Sequence, residues 1–208
     1  MLEEGLLKLG FNSDDRILSL LEKYIDEIEL FNHAYGLVKV KDRGELIVKH
    51  ILDSLAPVHL IRGLVNEAAA KMPAIADVGS GAGLPGIPLA ICMPDAEFTL
   101  IERMGRRAGF LRNVQALLGL SNVKVEEAEM EKLNPGHFDL VVFRAFRPLE
   151  PIILKGLFRL LGPDGVLAAY KGRRESIEEE MASVKGYEVL KLEVPFLEEE
   201  RHLVLIRP

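Results

Sequence analysis

Three glycines, Gly79, Gly81 and Gly83, alternate in the segment IADVGSGAGLPGIPLA, with Asp77 ahead of them and Pro85 and Pro88 behind. A loop that meets a nucleotide-shaped cofactor needs glycine. The chain turns there with positive φ and brings its backbone against the ligand without Cβ atoms in the way. Further along, Glu102 ends an apolar run where a carboxylate can accept both hydroxyls of a ribose. Arginines and lysines then gather after successive runs: Arg103, Arg106, Arg107 and Arg112, then Arg144 and Arg147, then Lys171, Arg173 and Arg174. Together these residues describe a nucleotide-cofactor site with a cationic rim suited to phosphate.

The loop reads in two registers. DVGSGAG is an acid followed by G-x-G-x-G and looks like the first motif of methyltransferases that use S-adenosylmethionine (SAM). Gly81, Gly83 and Gly86 instead make a literal G-x-G-x-x-G, the dinucleotide fingerprint, which suits an NAD-dependent oxidoreductase. Asp77 favours SAM, because a carboxylate at the strand end suits an ammonium group or ordered water and repels a pyrophosphate. Pro85 and Pro88 point the same way. They occupy the expected first turn of a helix and remove N–H donors that a diphosphate would use there. Glu102 separates nothing, since both cofactors carry a ribose.

Elements that would position these residues emerge from periodicity. Ser13 and Asp14 open an amphipathic helix with Ile17, Leu18, Leu21, Tyr24, Ile25, Ile28 and Phe31 on one face. Asp42 and Glu45 have capping-box spacing, and ELIVKHILDSLAPVHLIRGLVNEAAAK continues as helix with a break near Pro57. From Ala74 the texture changes to short runs, AIADVG, EFTLIE, VKVEEA, FDLVVF and GVLAAY, then YEVLKLEVP and RHLVLIRP. A helix over Gly105 to Leu118, stopped by Gly119, separates the second and third. The pattern predicts an α/β fold, a sheet with helices on both faces, whose final pair forms a hairpin and makes the sheet mixed. We expect residues 1–72 to form an N-terminal helical extension on a core of residues 73–208, in one compact unit.

The chain has 208 residues, 49% of them hydrophobic and 28% charged, which is the balance of a folded globular protein. Its net charge of -6 excludes a general attraction to nucleic acid, so any such binding uses a local basic patch. Val78 to Met93, the longest uncharged stretch, falls short of a bilayer span, and MLEEGLLKLG lacks the basic start of a signal peptide. A cytoplasmic location without membrane attachment is the expectation. Cys92, the single cysteine, lies in apolar IPLAICMP and reads as core. His33, His59, His137 and His202 have no metal-ligand spacing, so we expect no metal.

IADVGSGAGLPGIPLAI, IERMGRRAGFL, VVFRAFRPL and VKHILDSLAP together resemble the bacterial methyltransferases that modify guanine N7 in 16S ribosomal RNA, a family also called glucose-inhibited division protein B. The similarity covers nearly the whole chain. It implies a class I SAM-dependent methyltransferase (Rossmann-like) fold, a seven-stranded mixed sheet with an N-terminal helical addition. SAM would be the cofactor and 16S ribosomal RNA or the small ribosomal subunit the partner, and we expect a monomer. Position by position it implies SAM contacts at Gly79, Leu84, Ala128, Glu129 and Arg144, besides the Asp77, Gly81, Gly83 and Glu102 read above. Gly36, Leu37 and Val38 depart from the Asn-Leu-Thr element of that family and lose two polar groups.

FRAFRP after the fourth strand lacks the Asp-Pro or Asn-Pro element of enzymes that methylate exocyclic amines, and no cysteine stands there for cytosine-C5 chemistry. Guanine N7 carries a lone pair and no proton, so direct displacement on the sulfonium methyl needs no general base. Alignment alone is worth up to roughly 7 to 11 kcal/mol in well-oriented systems. Arg144, His50 and Lys171 are the candidates for the reacting centre, and Arg106, Arg107, Arg147, Lys171, Arg173 and Arg174 for the RNA contact. His50 and Asp53 share a helix face; the HILDS match places them over the site, while a lone histidine there also reads as a capped or core residue. Phe143 reads as core, and Phe146 as core or a base-stacking ring. The missing Asn and Thr keep open a SAM-binding RNA module without turnover.

Overall fold

The computed structural model describes residues 1–12, 14–66, 72–182 and 184–208. Helix α1 (Leu2–Lys8) precedes the amphipathic helix expected from the sequence, α2 (Asp15–Tyr35). Asp14 starts α2 by accepting the N–H groups of Arg16 at 2.9 Å and Ile17 at 3.3 Å. Ser13, expected to share that start, and residues 67–71, expected to end the next helical stretch, lie outside the described residues. Gly36 closes α2 in the left-handed conformation at φ 59°.

Asp42 caps α3 (Arg43–Leu46), accepting Glu45 N–H at 2.8 Å, while the Glu45 carboxylate turns to Lys41 N–H at 2.7 Å. The box thus closes one residue earlier than its spacing suggests. After α3 the expectation of plain helix is corrected: a π-helical stretch (Ile47–Leu52) leads into α4 (Asp53–Leu55). The break at Pro57 falls where expected, before α5 (Val58–Asn66).

The sheet holds β1 (Ala74–Val78), β2 (Glu97–Ile101), β3 (Val123–Glu126), β4 (Phe138–Arg144), β5 (Leu161–Lys171), β6 (Tyr187–Leu192) and β7 (Arg201–Ile206), in the order β3-β2-β1-β4-β5-β7-β6. Pairing is parallel from β3 to β5, and β7 lies antiparallel between β5 and β6. The expected hairpin is present, with its second strand inserted next to β5. Helices α6 (Gly86–Cys92), α7 (Gly105–Leu118), α8 (Pro151–Leu160) and α9 (Arg174–Glu180) connect the strands. Alternation along each strand separates two apolar layers. Leu140, Val142, Leu203 and Leu205 join the cluster containing Leu21, Ile28, Ile51 and Phe110. Val141, Phe143, Val204 and Ile206 join the one containing Leu157, Leu160 and Ile177. The N-terminal helices therefore share a core with one sheet face, and the chain reverses strand order between β1 and β4, where ligands of open α/β sheets bind.

Candidate active site

The glycine loop leaves β1 with Gly79, Gly81 and Gly83 at φ 73°, 59° and 92°. Gly79 N–H donates to Ile101 O at 2.9 Å, tying the loop to the end of β2. A Cβ on Gly79 would stand 2.5 Å from the Phe146 ring, so only glycine lets that ring and the loop approach. Gly83 has a different reason. Its Cβ would meet Ile87 Cγ1 at 2.6 Å and Leu111 Cδ2 at 3.0 Å, which makes it a packing glycine under α6 and α7. Gly83, expected to contact the cofactor, lines neither of the two cavities described below. Tyr24, fully buried on α2, holds the same loop from the N-terminal side by donating its hydroxyl to Ala82 O at 2.7 Å.

Asp77 lies beneath the loop. Its Oδ2 accepts Gly86 N–H at 3.0 Å, and its buried Oδ1 has no partner among the described residues. Burial pushes its carboxyl up to about 7 against the opposing effect of the Gly86 hydrogen bond. Glu102 Oε2 accepts Gly81 N–H at 2.9 Å and Oε1 accepts Met104 N–H at 2.8 Å, so the acid is locked between the loop and the start of α7. Gly83 packs inward and the Gly86 N–H is already bound to Asp77, which leaves a pyrophosphate fewer contacts in this loop.

Two cavities open at the carboxyl ends of the strands. The larger, about 660 Å³, is lined by the loop residues Gly79, Gly81 and Leu84 together with His50, Asp53, Arg144, Tyr170, Lys171 and Arg201. The smaller, about 230 Å³, is lined by Ile101, Glu102, Ala128, Glu129, Met130 and Phe146. Gly79, Arg107 and Ala145 line both. Ala145 has φ 48°, a left-handed conformation rare outside glycine, and by turning there the chain sends Arg144 to the larger cavity and Phe146 to the smaller. The residues fit SAM: a glycine shared by both cavities, an acid and apolar walls for an adenosine in the smaller one, and an unpartnered buried carboxylate oxygen beneath the loop.

Cations dominate the larger cavity despite the acidic total. Lys39, Lys49, Arg107, Arg144, Lys171 and Arg201 line it, and among the described residues its only lining carboxylate is Asp53. Arg144 Nη1 donates to Asp53 Oδ2 at 2.8 Å and to Lys49 O at 3.3 Å, and its Nη2 donates to His50 Nδ1 at 3.0 Å. Arg201 Nε stands 3.1 Å from Asp53 Oδ1, an ion pair outside hydrogen-bond alignment. Burial first, and the Arg144 charge second, depress His50 to about 4, so it is a neutral acceptor at neutral pH. Lys171 donates to Glu180 at 2.6 Å, which leaves it at the cleft wall in an ion pair. Tyr170 donates to Ser54 O at 2.9 Å, fixing β5 against the helix that carries His50 and Asp53.

The structure thus brings together Gly79, Gly81, Leu84, Arg107, Arg144, His50 and Lys171 in one cavity and Glu102, Ala128, Glu129 and Arg147 in or beside the other. The expected single basic rim is corrected in part. Arg106 lines neither cavity; it reaches toward Ala34 O at 3.5 Å and over the Tyr35 ring. Arg112 pairs with Glu127 at 2.9 Å. Arg173 and Arg174 border a neighbouring depression shared with Glu199, Glu200 and Arg201. Arg147 pairs with Glu131 at 3.3 Å and sits over the Phe146 ring. Phe143 is buried and Cys92 is core, as expected. Leu37 and Val38, from the departing element, do line the larger cavity. Sequence reasoning missed Tyr24, Tyr170 and Arg201, whose signals are an apolar helix position, a strand end and a hairpin strand with no motif around them.

The family model described as GidB, rRNA small subunit methyltransferase G, matches residues 17–204. The chain is 40% identical to the ribosomal RNA small subunit methyltransferase G of Treponema denticola, over 99% of this chain and 93% of that protein. It is 38% identical to the protein of the same name from Nitrosococcus oceani, over 100% of this chain and 94% of the relative. Among solved structures it is similar to magnesium protoporphyrin IX methyltransferase from Synechocystis PCC 6803 with bound SAM, at a TM-score of 0.59 and 18% identity, covering 95% of this chain and 100% of that one. A SAM dependent methyltransferase from Aquifex aeolicus matches at a TM-score of 0.56 and 18% identity, over 88% and 98% of the two chains. These two likenesses concern the fold, which is that of class I SAM-dependent methyltransferases.

Proposed function

The chain belongs to the rRNA small subunit methyltransferase G (GidB) family, and on that premise we propose that it methylates N7 of a guanine in 16S ribosomal RNA, with SAM as the methyl source. Bound SAM supplies a methyl group on a positively charged sulfur, open to direct attack by a lone pair. Glu102 and the walls at Ile101, Ala128 and Met130 would hold the adenosine end, with Gly79 and Gly81 of the loop beside them.

The observation that carries the acceptor is the state of the bases in that cavity. Asp53 is committed to Arg144 and Arg201, and His50 already accepts from Arg144 and is a weak base at about 4. An exocyclic amine needs a proton removed as it is methylated; guanine N7 does not. The surrounding cations, Arg107 and Lys39 among them, attract the phosphates of the RNA strand that brings the base in. The working form we propose is a monomer. Among the described residues no helix is long and apolar enough to cross a membrane, and ribosomal RNA as substrate supports a cytoplasmic location.

Small subunits from a strain lacking the modification, incubated with the protein and methyl-labelled SAM, test this reading. Label should enter 16S RNA at one guanine, and strand scission specific for N7-methylguanine should map it. Label at an exocyclic amine, or tight SAM binding with no incorporation, would overturn the reading and favour in the second case a SAM-binding RNA module. Light scattering of the free protein checks the monomer.

A further inference from the structure

Arg144 is held by three groups, all from the helical segment at its side, and the π-helical stretch explains how they reach it. In an α-helix the carbonyl of Lys49 would accept the N–H of Asp53. Here Asp53 N–H turns to Val48 O and His50 O, which leaves Lys49 O to accept from Arg144. His50 Nδ1 and Asp53 Oδ2 take two further hydrogens of the same guanidinium. Nη1 is therefore fully used, while Nε–H and one Nη2–H have no partner among the described residues. Arg144 itself lines the larger cavity.

Asp53 does more than pair with one arginine. Its side chain is 5% exposed, between Arg144 at 15% and Arg201 at 21%. Two guanidinium groups brought this close in a half-dry cleft repel each other, and a buried carboxylate between them removes that repulsion while its two oxygens fix two directions. We propose that Asp53 is a positioning residue for methyl transfer, acting through Arg144: it sets the orientation of a guanidinium that lines the cavity. The proposal rests on the reading that this cavity is the methyl-transfer site.

A double-mutant cycle tests it, read both as SAM affinity by calorimetry and as kcat and KM on small subunits. Asp53→Asn keeps an acceptor for Arg144 but removes the charge between the arginines. It should lower kcat by about 10²-fold, the scale of a misplaced catalytic group, with little change in KM for subunits. It should also weaken SAM by about tenfold. In an Arg144→Ala background both effects should shrink to about twofold or less, because the residue Asp53 acts through is gone. Asp53→Glu, which keeps the charge and shifts it by one methylene, should recover part of the SAM affinity; it carries the cycle if Asp53→Asn lacks a cooperative melting transition. Equal losses with and without Arg144 would overturn the proposal. A wild-type chain that binds SAM but transfers no methyl would instead count against the parent reading, and the affinity cycle would still decide the role of Asp53.

Discussion

Asp77→Asn should change stability in a way that depends on pH, with a sign opposite to the usual behaviour of a paired carboxylate. Asp77 is fully buried under the glycine loop with one oxygen on Gly86 N–H and the other unpartnered, and burial raises its carboxyl from 3.8 to about 7. In that interval the unfolded chain has released the proton while the native protein still holds it. Stability therefore falls as pH rises from the unfolded value through about 7, and flattens above it. Asparagine keeps the acceptor for Gly86 and cannot ionise. Between pH 5 and pH 8, linkage with these two values makes Asp77→Asn gain about 2.5 kcal/mol relative to the wild type. Any fixed cost of burying the amide cancels, because it is the same at both pH values. Urea unfolding of both proteins without SAM at several pH values in this range measures the difference directly. A difference between variants that stays constant across the range would refute the reasoning, since it would mean that the buried carboxyl ionises as it does in the unfolded chain.

Tyr24→Phe removes the buried hydroxyl that donates to Ala82 O, so it should destabilise by about 1 to 3 kcal/mol and weaken SAM binding through a looser loop, checked by melting and calorimetry. His50, depressed to about 4, is neutral in the native protein while the unfolded imidazole protonates near 6.5. Native stability should thus decline as pH falls through that window, and His50→Gln should remove about 1 to 2 kcal/mol of the loss between pH 7 and pH 5 after allowance for partial exposure. Charge reversal at Arg173 and Arg174, which border the depression beside the cleft, should raise KM for small subunits severalfold and leave SAM affinity intact; unchanged methylation would remove them from the RNA contact.

Much of this protein was legible in its sequence because the relevant signals are local. The short apolar strand runs, the helix over Gly105–Leu118 with its Gly119 stop, and the Asp14 and Asp42 caps each depend on a few adjacent residues. The glycine loop and the strand end at Glu102 were legible for the same reason, since backbone conformation and strand ends are set close by. What each glycine is for was not local: Gly79 faces Phe146 and Gly83 faces Ile87 and Leu111, and only the packed neighbours tell a ligand-facing glycine from a packing one. The same holds for the cations. Arg106, Arg107 and Arg112 are close in sequence on one helix, yet one meets the neighbouring α2, one enters the cleft and one pairs with Glu127. Asp53, Arg144 and Arg201 come from a helical segment and two separate strands. Only the close packing of that segment against the sheet, with its turn widened to free the Lys49 carbonyl, joins them into one cluster. Side-chain direction and long-range charge pairing are properties of the assembled layers, and no window of sequence contains them.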